Sequence, residues 1–328
     1  MTARPPATVT VCVVNYNGGD LVLRALQSLH DQTFRDISVV VVDNDSTDGS
    51  ADRLAESFPA ALLLRPGRNL GFAAANNLAM ASVELGEFVA MLNPDAEAHP
   101  LWLEELVAAA GRHPQGGSFG SRMYRTPDKS VLDGVGDVYH VSGISWREGH
   151  RLPAAGNYLT EREIFSASAA AVLYRTSALA DVGGFDERFF MYLEDVDLGF
   201  RLRLRGWEAW YVPTAEVLHR GSAIVGEHSD FQIYHGHRNL VWTYVQDMPA
   251  RLLWSYLPWH LALNAYTLAA FTLQGHGAAI WRAKVDAVRG LRQAWRRRAA
   301  VQASRRVDDV SVRCWLARGV PRRRRSGR

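Results

Sequence analysis

The sequence predicts an α/β fold built around a sheet of parallel strands. Over residues 1–110, short runs rich in β-branched side chains alternate with polar loops and segments of helical periodicity, the pattern of consecutive βαβ units. One run, ISVVVVDNDS, is almost entirely apolar until its last residues, as expected of a strand buried on both faces. With 328 residues, 48% of them hydrophobic, the chain can form a sizeable core in one large domain or two.

Four strand-and-helix units make up this amino-terminal part. Gly18 and Gly19 follow the first strand, and Asp20 can cap the helix that comes next. The strands and the loops after them are VTVCVVNYN, ISVVVVDNDS, ALLLRPGRNLGF and GEFVAMLNPDA. The helices are predicted over residues 21–29, in TDGSADRLAESF, and over residues 73–82 and 101–112.

A second block of regular structure is predicted after residue 160. It reads as a strand, a short helix, a glycine turn, a helix from about Asp195 and a strand over residues 209–212. Residues 124–160 are rich in glycine and show neither the hydrophobic period of a helix nor that of a strand, so no element is predicted there.

Charge is distributed unevenly along the chain, although the formal net charge is only +3. Residues 281–328 contain 16 basic and 3 acidic residues, which leaves 21 basic and 31 acidic residues in 1–280. Such a basic tail, which ends in PRRRRSGR, favours anionic partners such as phospholipid headgroups, nucleic acid or anionic substrates.

An apolar stretch precedes the basic tail. Residues 252–273, LLWSYLPWHLALNAYTLAAFTL, carry no formal charge and approach the ~20 residues that span a bilayer. Pro258, His260 and Asn264 argue against a spanning helix. Because the Arg-rich segment WRAKVDAVRGLRQAWRRR follows, we interpret the region as an interfacial anchor on an anionic leaflet. The alternative is a buried helix followed by a solvated basic tail.

The two cysteines and the amino terminus indicate a cytoplasmic location. Cys12 lies in an apolar strand, and it forms neither a disulfide framework nor a metal motif with Cys314. The amino-terminal segment MTARPPATVT lacks the apolar stretch of a signal peptide. We therefore expect a cytoplasmic protein that is peripheral to the inner face of the cell membrane.

Polar side chains follow each of the four predicted strands. Because the carboxyl ends of parallel strands meet at one edge of a sheet, these side chains are expected to line one ligand-binding rim. Neither a G-x-G-x-x-G after the first strand nor a P-loop motif is present. The rim residues are Asn15, Asn17, Asp43, Asp45, Arg68, Asn69, Asn93 and Asp95.

Four of the acidic and histidine residues suit a reaction at a sugar diphosphate. Asp95, with His219 as a nitrogen ligand, could hold Mg²⁺ or Mn²⁺ against a diphosphate leaving group. Glu194 and Asp195 begin a helix, whose dipole would keep a carboxylate base ionised. The alternatives are a structural histidine and ordinary helix caps. Asp43 could accept the ring N–H of uracil or thymine, or belong to a helix-capping loop.

The ordered set of motifs resembles family 2 glycosyltransferases, and within them the rhamnosyltransferase-like branch. The motifs are VVNYNGG, VVVVDNDSTDGS, RNLGFAAANN, LNPDA, GGFDERFFMYLEDVDLGFRLRLRGW and EVLHRGS, spread over roughly residues 8–245. The resemblance implies an inverting enzyme of GT-A type, with a Rossmann-like mixed sheet flanked by helices. It implies a catalytic domain over residues 1–245, with a nucleotide-sugar half at 1–123 and an acceptor half at 160–245. Residues 246–328 would form a helical, membrane-associating extension.

The resemblance also implies roles for individual residues. Asp195 would be the catalytic base, with Glu194 beside it, and Glu194 and Trp207 would bind the acceptor. Asp95 and His219 would hold the divalent cation, Mn²⁺ or Mg²⁺. The family's metal motif often has two acids, but Asn93 stands in the first position here, which weakens the expected hold on a cation. The nucleotide sugar would contact Asn15, Tyr16, Asn17, Asp43, Asp45, Arg68, Asn69, Gly71, Asn76, Asn93 and Asp95.

The expected function is transfer of a sugar, plausibly rhamnose from dTDP-rhamnose, to a saccharide or lipid-linked saccharide in cell-envelope polysaccharide synthesis. A UDP-sugar-dependent transferase of the same fold is one alternative, and a non-catalytic membrane or nucleic-acid binding module is another. A processive synthase would carry Q-x-x-R-W, which this chain lacks. We expect a membrane surface as partner and no nucleic acid, and association into a homo-oligomer is left open.

Overall fold

A computed structural model describes residues 6–125, 127–221 and 229–319. The Arg-rich segment PRRRRSGR therefore lies outside the described residues. The strands are β1 (Val9–Asn15), β2 (Ile37–Asp43), β3 (Leu62–Leu64), β4 (Phe88–Leu92), β5 (Ala96–Ala98), β6 (Gly116–Tyr124), β7 (Leu132–Gly134), β8 (Asp137–Tyr139), β9 (Ser145–Arg147), β10 (Arg162–Glu163), β11 (Ala171–Arg175) and β12 (Glu208–His219). The helices are α1 (Gly19–His30), α2 (Ser50–Ser57), α3 (Gly71–Ala81), α4 (Trp102–Arg112), α5 (Thr176–Val182), α6 (Glu194–Leu204), α7 (Asp230–Asp247), α8 (Ala250–Phe271), α9 (Gly277–Arg289), α10 (Leu291–Ala303) and α11 (Asp309–Trp315).

A mixed sheet forms the centre of the fold, which confirms the predicted α/β class. Its strands run in the order β10-β12-β6-β11-β4-β1-β2-β3, with β5 added to β12 and β7 to β6. The neighbours β4, β1, β2 and β3 are parallel, as the βαβ pattern predicted, whereas β11 runs antiparallel to both β4 and β6. Strands β8 and β9 form a separate hairpin.

Helices α1, α3 and α4 lie within two residues of their predicted ends, and α2 lies inside the predicted segment TDGSADRLAESF. Helix α1, for example, buries Val22, Ala25, Leu26 and Leu29 on one face against the sheet. That spacing of three and four residues is the signature of an amphipathic helix. Because β1, β2 and β4 are parallel neighbours, the polar loops after them emerge at one edge of the sheet, as expected.

Strand β6 was not predicted, because glycine is a poor strand former. Its sequence GGSFGSRMY is nonetheless almost completely buried. The glycines allow close packing: a Cβ on Gly117 would lie 2.9 Å from the Cβ of Trp207, and one on Gly120 would lie 3.0 Å from the Cβ of Ala167. The predicted strand at 209–212 was too short, since β12 extends to His219 along β6 and β5.

The carboxyl-terminal helices pack onto α6 and onto each other. One hydrophobic cluster joins Phe200 of α6 to Tyr244, Leu252, Val301 and Val312, one each from α7, α8, α10 and α11. The predicted boundary at residue 245 falls inside α7, and the division into domains stays a prediction. Within the described ranges, no helix is both long enough and apolar enough to cross a membrane.

Candidate active site

Asn15 and Asp43 lie side by side at the carboxyl ends of β1 and β2. The Nδ2 of Asn15 donates to Asp43 Oδ1 at 2.9 Å and to the hydroxyls of Ser46 and Ser50 at 3.1 and 2.9 Å. Both Asn15 and Asp43 are buried, so this polar network is held rigidly. The Asp43 carboxylate is thereby fixed at the rim that the sequence predicted.

The loops after β1 and β2 are bonded to each other. The Oδ1 of Asn17 accepts a hydrogen bond from Thr47 N at 2.8 Å, and the N–H of Asn17 donates to Ser46 Oγ at 2.9 Å. Asn17 has a φ of 52°. Tyr16 and Asp45 remain exposed on this surface. Asparagine and aspartate are the residues that most readily adopt such left-handed backbone, which suits Asn17 and Asp45.

The loop before α3 is organised by Asn44, a residue that sequence reasoning missed. Asn44 Nδ2 donates to Asn69 Oδ1 at 2.9 Å, and Asn44 Oδ1 accepts from Leu70 N at 2.8 Å. The same Asn69 oxygen accepts from Gly71 N at 2.8 Å. Arg68 and Asn69 are exposed and border an open groove of about 670 Å³ along α3.

Asn76 is placed differently from the other predicted donor-binding residues. It is buried in α3, and its Nδ2 donates to the carbonyl of Phe72 within the same helix at 2.9 Å. Its predicted contact with the nucleotide sugar stays a prediction, and no hydrogen bond joins it to the rim residues described here.

The antiparallel pairing of β5 with β12 brings His219 next to Asp95. His219 Nε2 lies 3.3 Å from Asp95 Oδ1, and Nδ1 lies 2.7 Å from Oδ2 of Asp133. Burial of the imidazole opposes its protonation, but the hydrogen bonds and negative charges of Asp133 and Asp95 raise the pKa of His219 to about 9. Burial also works against the charged form of Asp95, yet His219 lowers the pKa of that carboxyl below its usual value.

These side chains fit a divalent cation with few protein ligands. Asn93 Oδ1 is buried and lacks a hydrogen-bond partner among the described residues, and Asn93 Nδ2 lies 3.4 Å from His219 Nε2. A cation would have to displace the proton on His219 Nε2; with that nitrogen free, Asp95, the Asn93 amide oxygen and His219 would offer two oxygens and one nitrogen, a set that Mn²⁺ accepts. In the described part of the chain, no group of three or more His, Cys, Asp or Glu side chains is arranged to hold a metal ion. A bound cation would therefore take its remaining ligands from solvent or substrate.

Asp133 comes from the segment in which no element was predicted. It lies on β7, is buried, and forms an ion pair with Arg147 of β9. Burial disfavours its charge, but Arg147 and His219 hold the pKa of Asp133 far below its usual range. An aspartate on the far nitrogen of a histidine orients the ring and raises its basicity. Asp133 is therefore a positioning residue for His219.

Asp195 lies in the first turn of α6, half-buried, with both carboxylate oxygens held by backbone N–H groups. Its Oδ2 accepts from Ala169 N at 3.1 Å, and its Oδ1 accepts from Val196 N at 2.9 Å. Burial and the neighbouring Asp195 raise the pKa of Asp137 to about 8, although Arg147 opposes this shift. Arg147 thus interacts with Asp195 and Asp137 as well as with Asp133, so it links the predicted base to the Asp95–His219 pair.

Glu194 differs sharply from Asp195. It is buried, and one of its oxygens, Oε2, has no hydrogen-bond partner in the described ranges. Burial first, and then the charge of Asp195, raise the pKa of Glu194 well above its usual value. Burial therefore favours the neutral form of Glu194, in which it can donate a hydrogen bond, whereas a base must be ionised.

Trp207 does not join this cluster. It follows the carboxyl end of α6, so the 11-residue helix, about 16 Å long, separates it from Glu194. Its indole N–H donates to Asp181 Oδ2 at 3.1 Å. Its predicted role in acceptor binding stays a prediction.

The loop that leads into α6 has a strained backbone. Phe190, Tyr192 and Leu193 all have φ between 64° and 69°, a region that bulky residues rarely occupy. The buried Asn239 of α7 holds this loop, because its Nδ2 lies 2.8–3.0 Å from the carbonyls of Phe189, Met191 and Tyr192. Asn239 was not recognised from sequence, where it is one amide in an ordinary helix.

The same loop contacts the donor side of the site. The Phe190 carbonyl accepts from Phe72 N at 2.6 Å. Gly71 has φ 78°, and a Cβ there would lie 2.5 Å from Phe190 Cδ2. Only glycine therefore permits this approach of α3 to the loop before α6, which ties the position of Glu194 and Asp195 to that of Asn69 and Gly71.

We expect Asn239→Ala to lower both stability and turnover. Three carbonyls, one buried and two partly buried, would lose their donor, which should cost about 2 kcal/mol of the free energy of unfolding, measured by denaturant titration. Release of the strained loop should displace Asp195 and lower kcat about tenfold or more.

Gln302→Ala is the matched control for this prediction. Its side-chain amide also donates to a backbone carbonyl, that of Asp247 at 2.8 Å, but not in the strained loop. We expect it to cost about 1 kcal/mol and to leave kcat unchanged. Equal effects of the two variants on kcat would contradict a specific role for Asn239.

Sequence comparison places these features in a known family. A model described as "Glycosyl transferase family 2" matches residues 10–183. The chain is 34% identical over 297 residues to the N-acetylglucosaminyl-diphospho-decaprenol L-rhamnosyltransferase of Mycobacterium tuberculosis, covering 80% of this chain and 94% of that protein. It is 31% identical to the O-antigen biosynthesis protein RfbC of Myxococcus xanthus, covering 66% of this chain and 17% of that one.

Solved structures share the fold at low identity. The mannosyltransferase PcManGT from Pyrobaculum calidifontis, in complex with GDP-Man and Mn²⁺, superposes with a TM-score of 0.55 at 22% identity, covering 92% of this chain and 86% of that one. GalNAc-T7 with UDP, GalNAc and Mn²⁺ gives 0.59 at 15% identity, covering 74% of this chain and 48% of that one. Both likenesses support the predicted fold.

Proposed function

Since the chain belongs to glycosyl transferase family 2, we propose that it transfers a sugar from a nucleotide diphosphate to a hydroxyl of a lipid-linked saccharide, with inversion at the anomeric carbon. The observation that carries the proposal is the connection between the Asp95–His219 pair and Asp195 through Asp133 and Arg147. Within this electrostatic network, Asp95 and His219 would hold a cation and Asp195 would act as the base.

The donor base would bind at the ends of β1 and β2. Asp43 is buried and fixed by Asn15, so its carboxylate can accept the N–H of a pyrimidine ring without reorganising. Uracil and thymine share that N–H, so Asp43 does not distinguish them. Tyr16, Asn17 and Asp45 surround this position, and Arg68 and Asn69 border the groove beside it.

The leaving diphosphate would be held on the Asp95 side of the rim. Asp95 and His219, with the Asn93 amide oxygen, are the residues that would hold a divalent cation. Such a cation, when bound, neutralises charge on a departing diphosphate. Asp133 keeps the His219 ring oriented through its contact with Nδ1.

Proton removal from the acceptor would fall to Asp195. Its two backbone hydrogen bonds aim the carboxylate, and its partial exposure gives an acceptor hydroxyl access to it. As Asp195 takes the proton, the hydroxyl oxygen would attack the anomeric carbon from the face opposite the leaving group. In its neutral form, which burial favours, Glu194 would donate a hydrogen bond to another oxygen of the acceptor.

The finer assignment is transfer of rhamnose from dTDP-rhamnose in cell-envelope polysaccharide synthesis. It is supported by the mycobacterial relative, whose name specifies a rhamnosyl group and a decaprenol-linked acceptor and which aligns with most of both chains. A lipid-linked acceptor would place the protein on the inner face of the cell membrane, with residues 246–328 at the bilayer.

A donor screen tests this proposal. The full chain is incubated with dTDP-rhamnose, UDP-sugars and GDP-mannose, with and without Mn²⁺, and the release of nucleoside diphosphate is measured with a polyprenyl-diphosphate saccharide as acceptor. We expect release from dTDP-rhamnose that depends on acceptor and is stimulated by Mn²⁺. Release from none of the donors would contradict the proposed activity, and release from a UDP-sugar alone would contradict the rhamnose assignment.

A further inference from the structure

The outer side of α8 exposes large apolar side chains along its length. Trp254, Trp259, Leu261 and Tyr266 are each about 60–70% exposed, and Leu273, in the turn beyond the helix, is 88% exposed. Soluble surfaces rarely present so many large apolar groups together, and contiguous patches of this kind mark interaction sites. None of these side chains belongs to the proposed transfer chemistry.

Large apolar side chains are also exposed on α9 and α10. Trp281 and Val288 of α9 are 55% and 65% exposed, and Trp295 of α10 is 43% exposed. The rings of Trp254 and Trp295 face each other with centroids 6.5 Å apart, which joins α8 to α10. We call this combined surface of α8, α9 and α10 the aromatic face.

Positive charge accompanies the aromatic face. Residues 250–300 contain eight basic residues and a single acid, Asp286. Asp286 is engaged by Arg289 at 3.0 Å and by the Tyr234 hydroxyl at 2.9 Å. Arginines exposed on these helices include Arg251, Arg282, Arg292 and Arg296.

We propose that the aromatic face docks on an anionic phospholipid surface, with α8 lying in the plane of the headgroups. Tryptophan and tyrosine with arginine are the composition of segments at the boundary between headgroups and acyl chains. A second copy of this chain fits less well, because two such faces would bring their arginines together. The inference rests on the proposed function, since a lipid-linked acceptor is what makes docking useful.

Proline in α8 supports a shallow position. Pro258 has no N–H, so the carbonyl of Trp254 lacks its helical donor. Water in the headgroup region can satisfy that carbonyl, whereas hydrocarbon cannot. Trp254 and Pro258 are both exposed, so we expect them to lie in the hydrated headgroup region and not among the acyl chains.

The inner side of α8 connects the aromatic face to the active site. Buried His260 lies with Nδ1 2.8 Å from the carbonyl of Ser142 and stacks on Tyr244 at 3.9 Å between ring centroids. Burial lowers the pKa of His260 to about 4, so the ring is neutral and its Nδ1–H donates to Ser142. Ser142 lies between β8 and β9, the strands that carry Asp137 and Arg147. A docked α8 would therefore hold the β8–β9 hairpin at a fixed position relative to the bilayer.

Vesicle flotation of the full chain tests the inference. The probes are vesicles of phosphatidylcholine with phosphatidylglycerol, and vesicles of phosphatidylcholine alone. We expect the wild-type chain to float with the anionic vesicles, and Trp259→Gln/Tyr266→Gln to lower its partition coefficient about tenfold or more. Arg292→Gln/Arg296→Gln should lower it about tenfold and remove the preference for anionic lipid. Leu159→Gln/Val310→Gln is the matched control, because both side chains are exposed to a similar degree outside the aromatic face.

Two further measurements separate this inference from the proposed function. Transfer to a water-soluble acceptor should be unchanged in the aromatic-face variants, so loss of transfer there would reflect a folding defect, which circular dichroism would detect. Wild-type flotation equal to that of Trp259→Gln/Tyr266→Gln would overturn the docking surface even if transfer is normal. A wild-type dimer that these substitutions dissociate, measured by light scattering, would assign the face to a second copy instead and also overturn it.

Discussion

Asp195→Asn is expected to lower kcat about 10²- to 10⁴-fold while leaving donor binding and the fold intact. The amide keeps the size of the carboxylate and one oxygen acceptor, but it cannot take a proton from the acceptor hydroxyl. Donor affinity, measured by calorimetry with a non-transferable nucleotide analogue, should stay within about twofold, because Asp195 is proposed to contact the acceptor and not the donor.

Asp309→Asn is the matched control for this loss. Asp309 also sits in the first turn of a helix, α11, where it pairs with Arg305 outside the proposed site. We expect normal kcat from this variant. Near-normal turnover of Asp195→Asn would show that another group removes the proton.

Asp95→Asn is expected to abolish measurable Mn²⁺ binding and, with it, transfer. The change replaces the only proposed carboxylate ligand with an amide. The cation would then have two amide oxygens, at positions 93 and 95, and the imidazole of His219. Loss of a residue that only hydrogen-bonds to a metal ligand costs about 10- to 100-fold in metal affinity, so loss of the ligand itself should cost at least about 100-fold. Free Mn²⁺, followed by electron paramagnetic resonance during titration of the protein with dTDP, provides a readout that does not depend on turnover.

Glu97→Gln serves as its control, because Glu97 lies on the adjacent strand β5 and pairs with Arg220 on the surface. Its Mn²⁺ affinity should match that of the unchanged chain. If Asp95→Asn bound Mn²⁺ as tightly as Glu97→Gln, Asp95 would not be a cation ligand.

The positions of three polar residues at one edge of the sheet were predictable from sequence for a physical reason. Strands β1, β2 and β4 are buried on both faces, so their apolar runs are unmistakable and their polar ends stand out. Asn15, Asp43 and Asp95 were found this way. Asn44 was not, because it follows Asp43 in a loop where capping and turn chemistry explain every polar residue equally well.

The residues that support His219 and Asp195 were less predictable because they lie in short or irregular elements. Asp133 and Arg147 sit on three-residue strands, too short for any period to show. Asn239 acts through carbonyls of a strained loop, and strain is invisible in sequence. Pairings between distant segments, such as β7 with β6, bring these residues to His219 and Asp195.

The amino-acid composition of residues 252–273 does not determine the environment of the helix. Its length and lack of charge are compatible with a buried, a spanning or an interfacial helix. Only the structure separates an inner side, with Leu252, Leu253 and His260, from an exposed side that carries Trp254 and Trp259. That division favours an interfacial position.

The anomeric configuration of the transferred sugar tests the central claim most directly. The product formed from the donor identified by the screen is examined by NMR, and the one-bond carbon–hydrogen coupling at the anomeric carbon is compared with that of the donor. A single displacement assisted by Asp195 predicts the opposite configuration in the product. Retention of the donor configuration would contradict it, because retention requires a different arrangement of groups around the anomeric carbon.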